Sequence, residues 1–128
     1  MSLKDCKVGT AVAVSDLTRA RSFYEGKLGL ESSQQNEEMA VYECADGTGL
    51  FIYVSEHAGS NKATLAGFEV RDFDATRAEL TESGVEFEHY DDESGVTTNE
   101  DGVFVGPGFK AAWFKDPDGN IFSINEAS

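Results

Sequence analysis

The chain repeats itself, and the repeat limits what it can fold into. "AVAVSDLTRARSFYEGKLGLE" runs as a strand, an Asp and an amphipathic stretch, and "AGFEVRDFDATRAELTESGVEFE" does the same. Asp16 and Asp72 hold matching places, where a carboxylate can cap the free N–H groups of a helix start. In the first copy Leu17, Ala20, Tyr24 and Leu28 recur at helical spacing as one apolar stripe. Gly29 suits the left-handed residue that ends such a helix. In the second copy Phe73, Thr76 and Leu80 form the stripe and Gly84 the end. A strand precedes each helix, "KVGTAVAV" and "ATLAGFEV".

Three strand-like stretches follow each helix. In the first half they are residues 31–35, 39–44 and 49–54, with "ADGTG" as the hairpin turn between the last two. In the second half they are residues 85–90, 109–115 and 120–125. A polar loop over residues 91–108 interrupts this half and has room for a short strand at 102–105; its length exceeds an ordinary connection. The pattern predicts an α+β fold of two βαβββ modules, approximately 5–56 and 62–128, within a single domain spanning 1–128. One module cannot cover both faces of its sheet, so two must associate. A ferredoxin-like fold is the competing topology, but it has two strands between its helices rather than three.

Strand alternation sorts the side chains into faces. Leu50, Ile52 and Val54 form the aliphatic face that packs under the helices, so Phe51 and Tyr53 point the other way. Pro117-Asp118-Gly119 fits a three-residue hairpin loop with Gly119 at positive φ. That loop sets Asp116 opposite Asn120 and Trp113 opposite Ser123. Trp113 then shares a face with Ser123, Ile121, Phe51 and Tyr53, above a floor of small residues, Gly9, Ala11 and Gly67. Aromatic walls with a few polar points describe a small-molecule pocket; a core or a dimer interface has the same composition. The residues assigned to ligand binding are Phe51, Tyr53, Leu65, Glu69, Trp113, Ser123 and Asn125. Glu69 is also the candidate base of a metal-free reaction, with an Arg partner or plain exposure as its ordinary role.

Composition narrows the partners. Length suits one domain with a proper core. A net charge of −14 argues against nucleic acid and anionic membranes. It suits a cationic ligand, and equally simple solubility. No apolar run reaches membrane-spanning length, and "MSLKDCKVG" lacks the apolar stretch of a signal peptide. Cys6 and Cys44 fall in strand-like segments outside any paired-cysteine metal motif. They fit buried free thiols of a cytoplasmic protein, with one disulfide as the alternative. There is no phosphate-binding glycine loop, because Gly106-Pro107-Gly108 lacks the strand-loop-helix setting.

"VAVSDLTRARSFYEGKLGL" and "AAWFKDPDGNIFSINE" resemble the two signature segments of the vicinal oxygen chelate superfamily. That group includes glyoxalase I, extradiol dioxygenases, fosfomycin-resistance enzymes and bleomycin-resistance proteins. The resemblance spans nearly the whole chain and implies that the paired modules form an open, U-shaped, glyoxalase-like barrel. It also implies a divalent metal in members that are enzymes, held by two histidines and a glutamate. By position the first ligand falls at Gly9, the second at Leu65, the last at Ser123, and a fourth near Phe51. Glycine, leucine and phenylalanine offer no donor, and serine is a poor ligand for such ions. His57 and His89, the only histidines, match none of these positions.

The resulting expectation is a metal-free, cofactor-free member that binds an apolar or aromatic ligand, with a cationic group allowed. It would act as a cytoplasmic homodimer with no nucleic-acid or membrane partner. The bleomycin-resistance type, also acidic and without catalytic metal, is the nearest analogy. The alternatives are a metal-dependent lyase or dioxygenase of the same superfamily, and a metal-free enzyme.

Overall fold

The computed structural model describes residues 2–91 and 96–127. They form two compact units, Met1–Ser60 and Asn61–Ser128, with the same order of elements.

The first unit contains β1 (Thr10–Val14), α1 (Leu17–Arg21), β2 (Ser32–Gln35), β3 (Met39–Glu43) and β4 (Gly49–Val54). Its sheet runs β1-β4-β3-β2, with β1 parallel to β4 and the other pairs antiparallel. Asp16 caps α1, its Oδ1 accepting from the Arg19 N–H at 3.1 Å. The helix does not continue as a plain α-helix to Leu28. It widens over Ser22–Lys27 into a π-helical turn in which the Leu28 N–H donates to the Phe23 carbonyl at 3.1 Å. The wider turn buries two adjacent aromatics, Phe23 and Tyr24, beside Ala20. Leu17 and Leu28 are only half-buried, and Gly29 closes the turn at φ 74°.

A polar network ties this helix to the sheet. Arg21 donates to both carboxylate oxygens of Glu25, at 2.6 and 3.2 Å, and the buried Tyr42 hydroxyl donates to Glu25 Oε2 at 2.8 Å. Between β3 and β4, Asp46 and Gly47 both adopt positive φ, 56° and 76°, as a two-residue type I′ turn requires. Leu50 and Ile52 are buried as their alternation demands. Val54 is not, since it ends the strand and stands 47 % exposed. The expectation of buried thiols in strands also needs correction: Cys6 is exposed and follows the short 3-10 turn Leu3–Asp5, Cys44 is half-buried and directly follows β3, and neither forms a disulfide.

The second unit contains β5 (Thr64–Glu69), α2 (Phe73–Glu82), β6 (Val103–Gly106), β7 (Phe109–Lys115) and β8 (Ile121–Ala127). The sheet order, β5-β8-β7-β6, repeats that of the first unit. Asp72 accepts from the Ala75 N–H at 3.1 Å, and Glu126 of β8 accepts from the Phe73 N–H at 3.4 Å, so two carboxylates serve the free N–H groups of α2. Gly84 ends the helix at φ 101°. Phe73, Val85, Phe114, Phe122 and Ile124 are buried. Each such side chain contributes about 1.5–3 kcal/mol. Phe114 stacks on Phe122 with ring centroids 5.7 Å apart.

The expected strand at residues 85–90 does not form. Phe87 makes a single antiparallel bridge to Phe114, and the Glu88 N–H donates to the Trp113 carbonyl at 2.8 Å. The chain then leaves the edge of β7 and returns at Val103, opposite Ala112. The outer strand of this sheet is therefore built from two pieces, and much of the polar loop is an insertion between them. Residues 92–95 of that loop lie outside the described residues. Among the described residues, no helix is long and apolar enough to cross a membrane.

Candidate functional site

The hairpin between β7 and β8 places the site. Asp116 Oδ1 accepts from the backbone N–H groups of Asp118 and Asn120, at 3.0 and 2.8 Å, and Oδ2 accepts from the Asn120 amide at 2.8 Å. Gly119 takes φ 90°. This turn fixes the expected register, with Trp113 opposite Ser123 and Lys115 opposite Ile121.

Register then aligns side chains in rows on one face of the sheet. One row is Gly67, Ser123 and Trp113, across β5, β8 and β7. The next, toward the turn, is Thr64, Ile121 and Lys115. On the other side, Glu69 pairs with Asn125. The β5–β8 ladder is irregular between Thr64 and Ala66, which leaves Leu65 as the extra residue. Thr64 therefore takes the place that strict alternation gives to Leu65, and Leu65 is half-buried. The opposite face carries the half-buried Phe68 and the buried Phe122 and Ile124.

Over the row nearest the turn lies a cleft of about 560 Å³. Thr64, Ile121 and Lys115 line it from the sheet, Trp113 and Tyr90 form aromatic walls, and Lys62, Ala63, Val96 and Gly119 complete it. Tyr90 meets Trp113 edge to face, with centroids 5.5 Å apart and planes at 74°. This is a favoured aromatic geometry and still leaves ring surface for a ligand. Burial pushes the Tyr90 phenol above its ordinary range; the charge of Glu88 adds to this and Lys115 opposes it. The phenol is thus a neutral hydrogen-bond donor at physiological pH. Lys115 Nζ pairs with Glu88 Oε1 at 3.3 Å.

Of the residues assigned from sequence, Trp113 lines the cleft, and Ser123, 8 % exposed, stands opposite it. Asn125 follows on the same face, beside an exposed Glu69. Phe51 and Tyr53 belong to the first unit, where they form an apolar face with Ala11, Ala13, Val41 and Met39 and lie 5.9 Å apart. Sequence reasoning missed Tyr90, Lys62, Thr64, Val96 and Lys115 as site residues. Lys115 was reachable, two residues beyond Trp113 on the same strand face. Tyr90 was not, because it sits where the chain leaves the sheet and no periodicity applies.

The positions to which the resemblance assigns metal ligands do not fit a metal. Gly9 and Leu65 have no donor atoms, and Ser123 offers one hydroxyl. Among the described residues, no three His, Cys, Asp or Glu side chains cluster as a metal site. His57 lies in an exposed turn, and exposed His89 has its Nε2 3.1 Å from the Glu100 carbonyl oxygen.

No curated protein sequence matches the chain significantly. Solved structures do. A glyoxalase/bleomycin resistance protein from Catenulispora acidiphila is 26% identical, with a TM-score of 0.68 over 95% of this chain and 98% of that one. TnmS3, an antibiotic binding protein from Streptomyces sp. CB03234, is 24% identical, with a TM-score of 0.70 over 95% of each chain. A lactoylglutathione lyase from Agrobacterium tumefaciens is 18% identical, with a TM-score of 0.67 over 95% of this chain and 93% of that one. The last two likenesses show the shared fold alone. A family profile covers residues 8–124, almost the whole repeat, and with it the chain belongs to the Glyoxalase/Bleomycin resistance protein/Dioxygenase superfamily.

Proposed function

We propose that this chain is a metal-free binding protein of its superfamily and holds an apolar or aromatic small molecule against Trp113. The observation that carries the reading is the row Gly67–Ser123–Trp113. Where enzymes of this superfamily are expected to place a metal-binding carboxylate, this sheet presents a serine hydroxyl beside an indole that lines a cleft. An aromatic wall supplies contact area at low entropic cost, and the Ser123 hydroxyl and Asn125 amide supply polar points. That an antibiotic binding protein shares the fold supports a binding role. A metal-dependent reaction would need donors that Gly9, Leu65 and Ser123 do not supply.

The same proposal makes the protein a cytoplasmic homodimer without nucleic-acid or membrane partners. The charge of −14 and the two free cysteines support the compartment and the partner class. Exposed apolar groups on the β6–β7 hairpin, Val105 at 61 % and Phe109 at 39 %, support association. Sedimentation at micromolar concentration should give a dimer; a monomer contradicts that part.

Two measurements test the binding reading. Elemental analysis of purified protein should find no stoichiometric zinc, nickel, manganese or iron. The single tryptophan gives one indole N–H cross-peak in a ¹H–¹⁵N spectrum, and that peak should shift saturably with 1-naphthaleneethanol as probe. About one metal per chain, removable with loss of an activity, overturns the metal-free reading. An indole peak that no aromatic probe moves overturns the cleft.

A further inference from the structure

Tyr90 reaches the cleft from a point where the chain has left the sheet. The Glu88 N–H still donates to the Trp113 carbonyl at 2.8 Å. Two residues on, the edge of β7 is occupied, with Val103 paired to Ala112 and Phe104 to Ala111. The backbone of Tyr90 bonds to Thr98 instead. Its N–H donates to Thr98 Oγ1 at 2.9 Å, and its carbonyl oxygen accepts from the Thr98 N–H at 3.0 Å and from the Thr98 hydroxyl at 3.2 Å. One threonine thus serves both backbone polar groups of the residue that carries a cleft wall. Its hydroxyl accepts one bond and donates another, which a methyl group cannot do.

Thr98 is itself held to the sheet. The next residue, Asn99, donates its N–H to the Val103 carbonyl at 2.8 Å, and its Oδ1 accepts from the N–H groups of Asp101 and Val103 at 2.9 and 3.1 Å. Gly102 takes φ 79° in this turn, and a β-carbon there would stand 3.0 Å from the Glu88 carbonyl oxygen. The turn therefore lies against the segment that leads to Tyr90. A line of hydrogen bonds runs from Val103, the first residue of β6, through Asn99 and Thr98 to Tyr90, whose ring centroid stands 5.5 Å from that of Trp113.

We infer that Thr98 is a positioning residue of the cleft: its hydroxyl fixes the Tyr90 backbone so that the ring stands against Trp113 before a ligand arrives. The inference rests on the binding role proposed above and adds a residue that acts through another. A wall fixed in advance spares the ordering cost that a mobile side chain takes at binding. It suits a rigid aromatic ligand, which gains from two rings already set at 74° to one another.

Thr98→Val keeps the shape of the side chain and removes the hydroxyl; Thr98→Ser keeps the hydroxyl. Affinity for 1-naphthaleneethanol is measured by titration calorimetry, and the Trp113 indole cross-peak of the ligand-free protein is recorded beside it. Thr98→Val should weaken binding about three- to tenfold, the scale of one edge-to-face aromatic contact. Thr98→Ser should bind as the unsubstituted protein does. In Tyr90→Ala protein, Thr98→Val should weaken binding no further, because the ring it positions is gone. Thr98→Val should also move the ligand-free indole peak in the direction that Tyr90→Ala moves it, since both take the Tyr90 ring from its place. Asn99→Ala leaves the hydroxyl and loosens its anchor; it should give the same pattern at smaller size, and it decides the matter if Thr98→Val does not fold. An equal loss of affinity with and without the Tyr90 ring would make Thr98 a general support of the loop and overturn the inference. Unchanged affinity and an unmoved indole peak in Thr98→Val would overturn it too, while leaving the cleft as a binding site. If no aromatic probe moves the indole peak of the unsubstituted protein, the binding role itself fails and takes this inference with it.

Discussion

Ser123 Oγ stands 2.7 Å from the point that a β-carbon on Gly67 would occupy, and Asn125 Oδ1 stands 2.9 Å from it. Real β-carbons do not approach other heavy atoms that closely, so the glycine is what lets these two polar side chains lean over β5. Gly67→Ala should displace them and cost about 1–3 kcal/mol through overpacking. Adding Ser123→Ala removes one of the two clashes and should recover part of the loss. Chemical denaturation of the two single variants and the double variant measures this coupling. Strictly additive effects would show that the approach is not tight.

The β7–β8 turn makes a second expectation. Asp116 is 5 % exposed, and its carboxylate accepts from the backbone N–H groups of Asp118 and Asn120 and from the Asn120 side-chain amide. Asp116→Ala leaves buried donors without that acceptor and should cost roughly 2–4 kcal/mol. Asp116→Asn keeps one acceptor oxygen and should cost less. Because the turn sets the register of Trp113 against Ser123, the Ala variant should also broaden or move the Trp113 indole resonance in the absence of any ligand.

That turn is also where the sequence was most readable. Pro117 and Gly119 restrict the backbone so narrowly that the pairing of Trp113 with Ser123 follows from counting. The caps at Asp16 and Asp72 and the left-handed ends at Gly29 and Gly84 are local in the same way. What sequence could not show was settled by tertiary partners. Residues 85–90 alternate like a strand, but only Phe87 finds a bridge partner, on the edge of β7, and Val103–Gly106 takes the rest of that edge. The extra residue at Leu65 depends on the pairing of β5 with β8, which the β5 sequence does not encode alone. Within the widened first helix, Tyr24 stacks on Tyr42 with centroids 6.0 Å apart, a partner far along the chain that the helix sequence alone does not reveal. For the site, alternation found Trp113 and Ser123, while Tyr90 and Lys62 enter from segments without periodicity.

Acid should weaken the first unit through Glu25. Hydrogen bonding from Arg21 is the largest influence on this carboxyl; burial opposes it, the Tyr42 hydroxyl adds to it, and the net effect holds the group below the ordinary carboxylate range. A depressed folded-state value means that the charged form is favoured by folding. The stabilisation is therefore complete above the unfolded value, about 4.3, and is lost as pH falls through the lower folded value. Glu25→Gln should lower stability at pH 7 by about 1–2 kcal/mol. The gap between wild type and variant should close below about pH 4. Denaturation midpoints at pH 7, 5, 4 and 3 give the comparison; a gap that widens on acidification would contradict the assignment.

Trp113 is the residue on which the binding role depends most directly. It is half-buried, lines the cleft and meets Tyr90 edge to face. A tryptophan serving only the core would lose about 3–5 kcal/mol of stability on truncation to alanine. One that presents a ring face to a ligand should lose less stability and more affinity. Trp113→Ala should weaken binding of 1-naphthaleneethanol by about 1–3 kcal/mol, measured by calorimetry because the substitution removes the only indole. Tyr90→Ala should act in the same direction but less strongly, since it also frees the Trp113 ring from its edge contact. Tyr90→Phe keeps the ring and should leave binding of this uncharged probe within about threefold, the scale of one marginal hydrogen bond. Denaturation curves recorded beside the titrations separate the two roles. A large stability loss with unchanged affinity would make Trp113 a core residue and withdraw the cleft as the binding site.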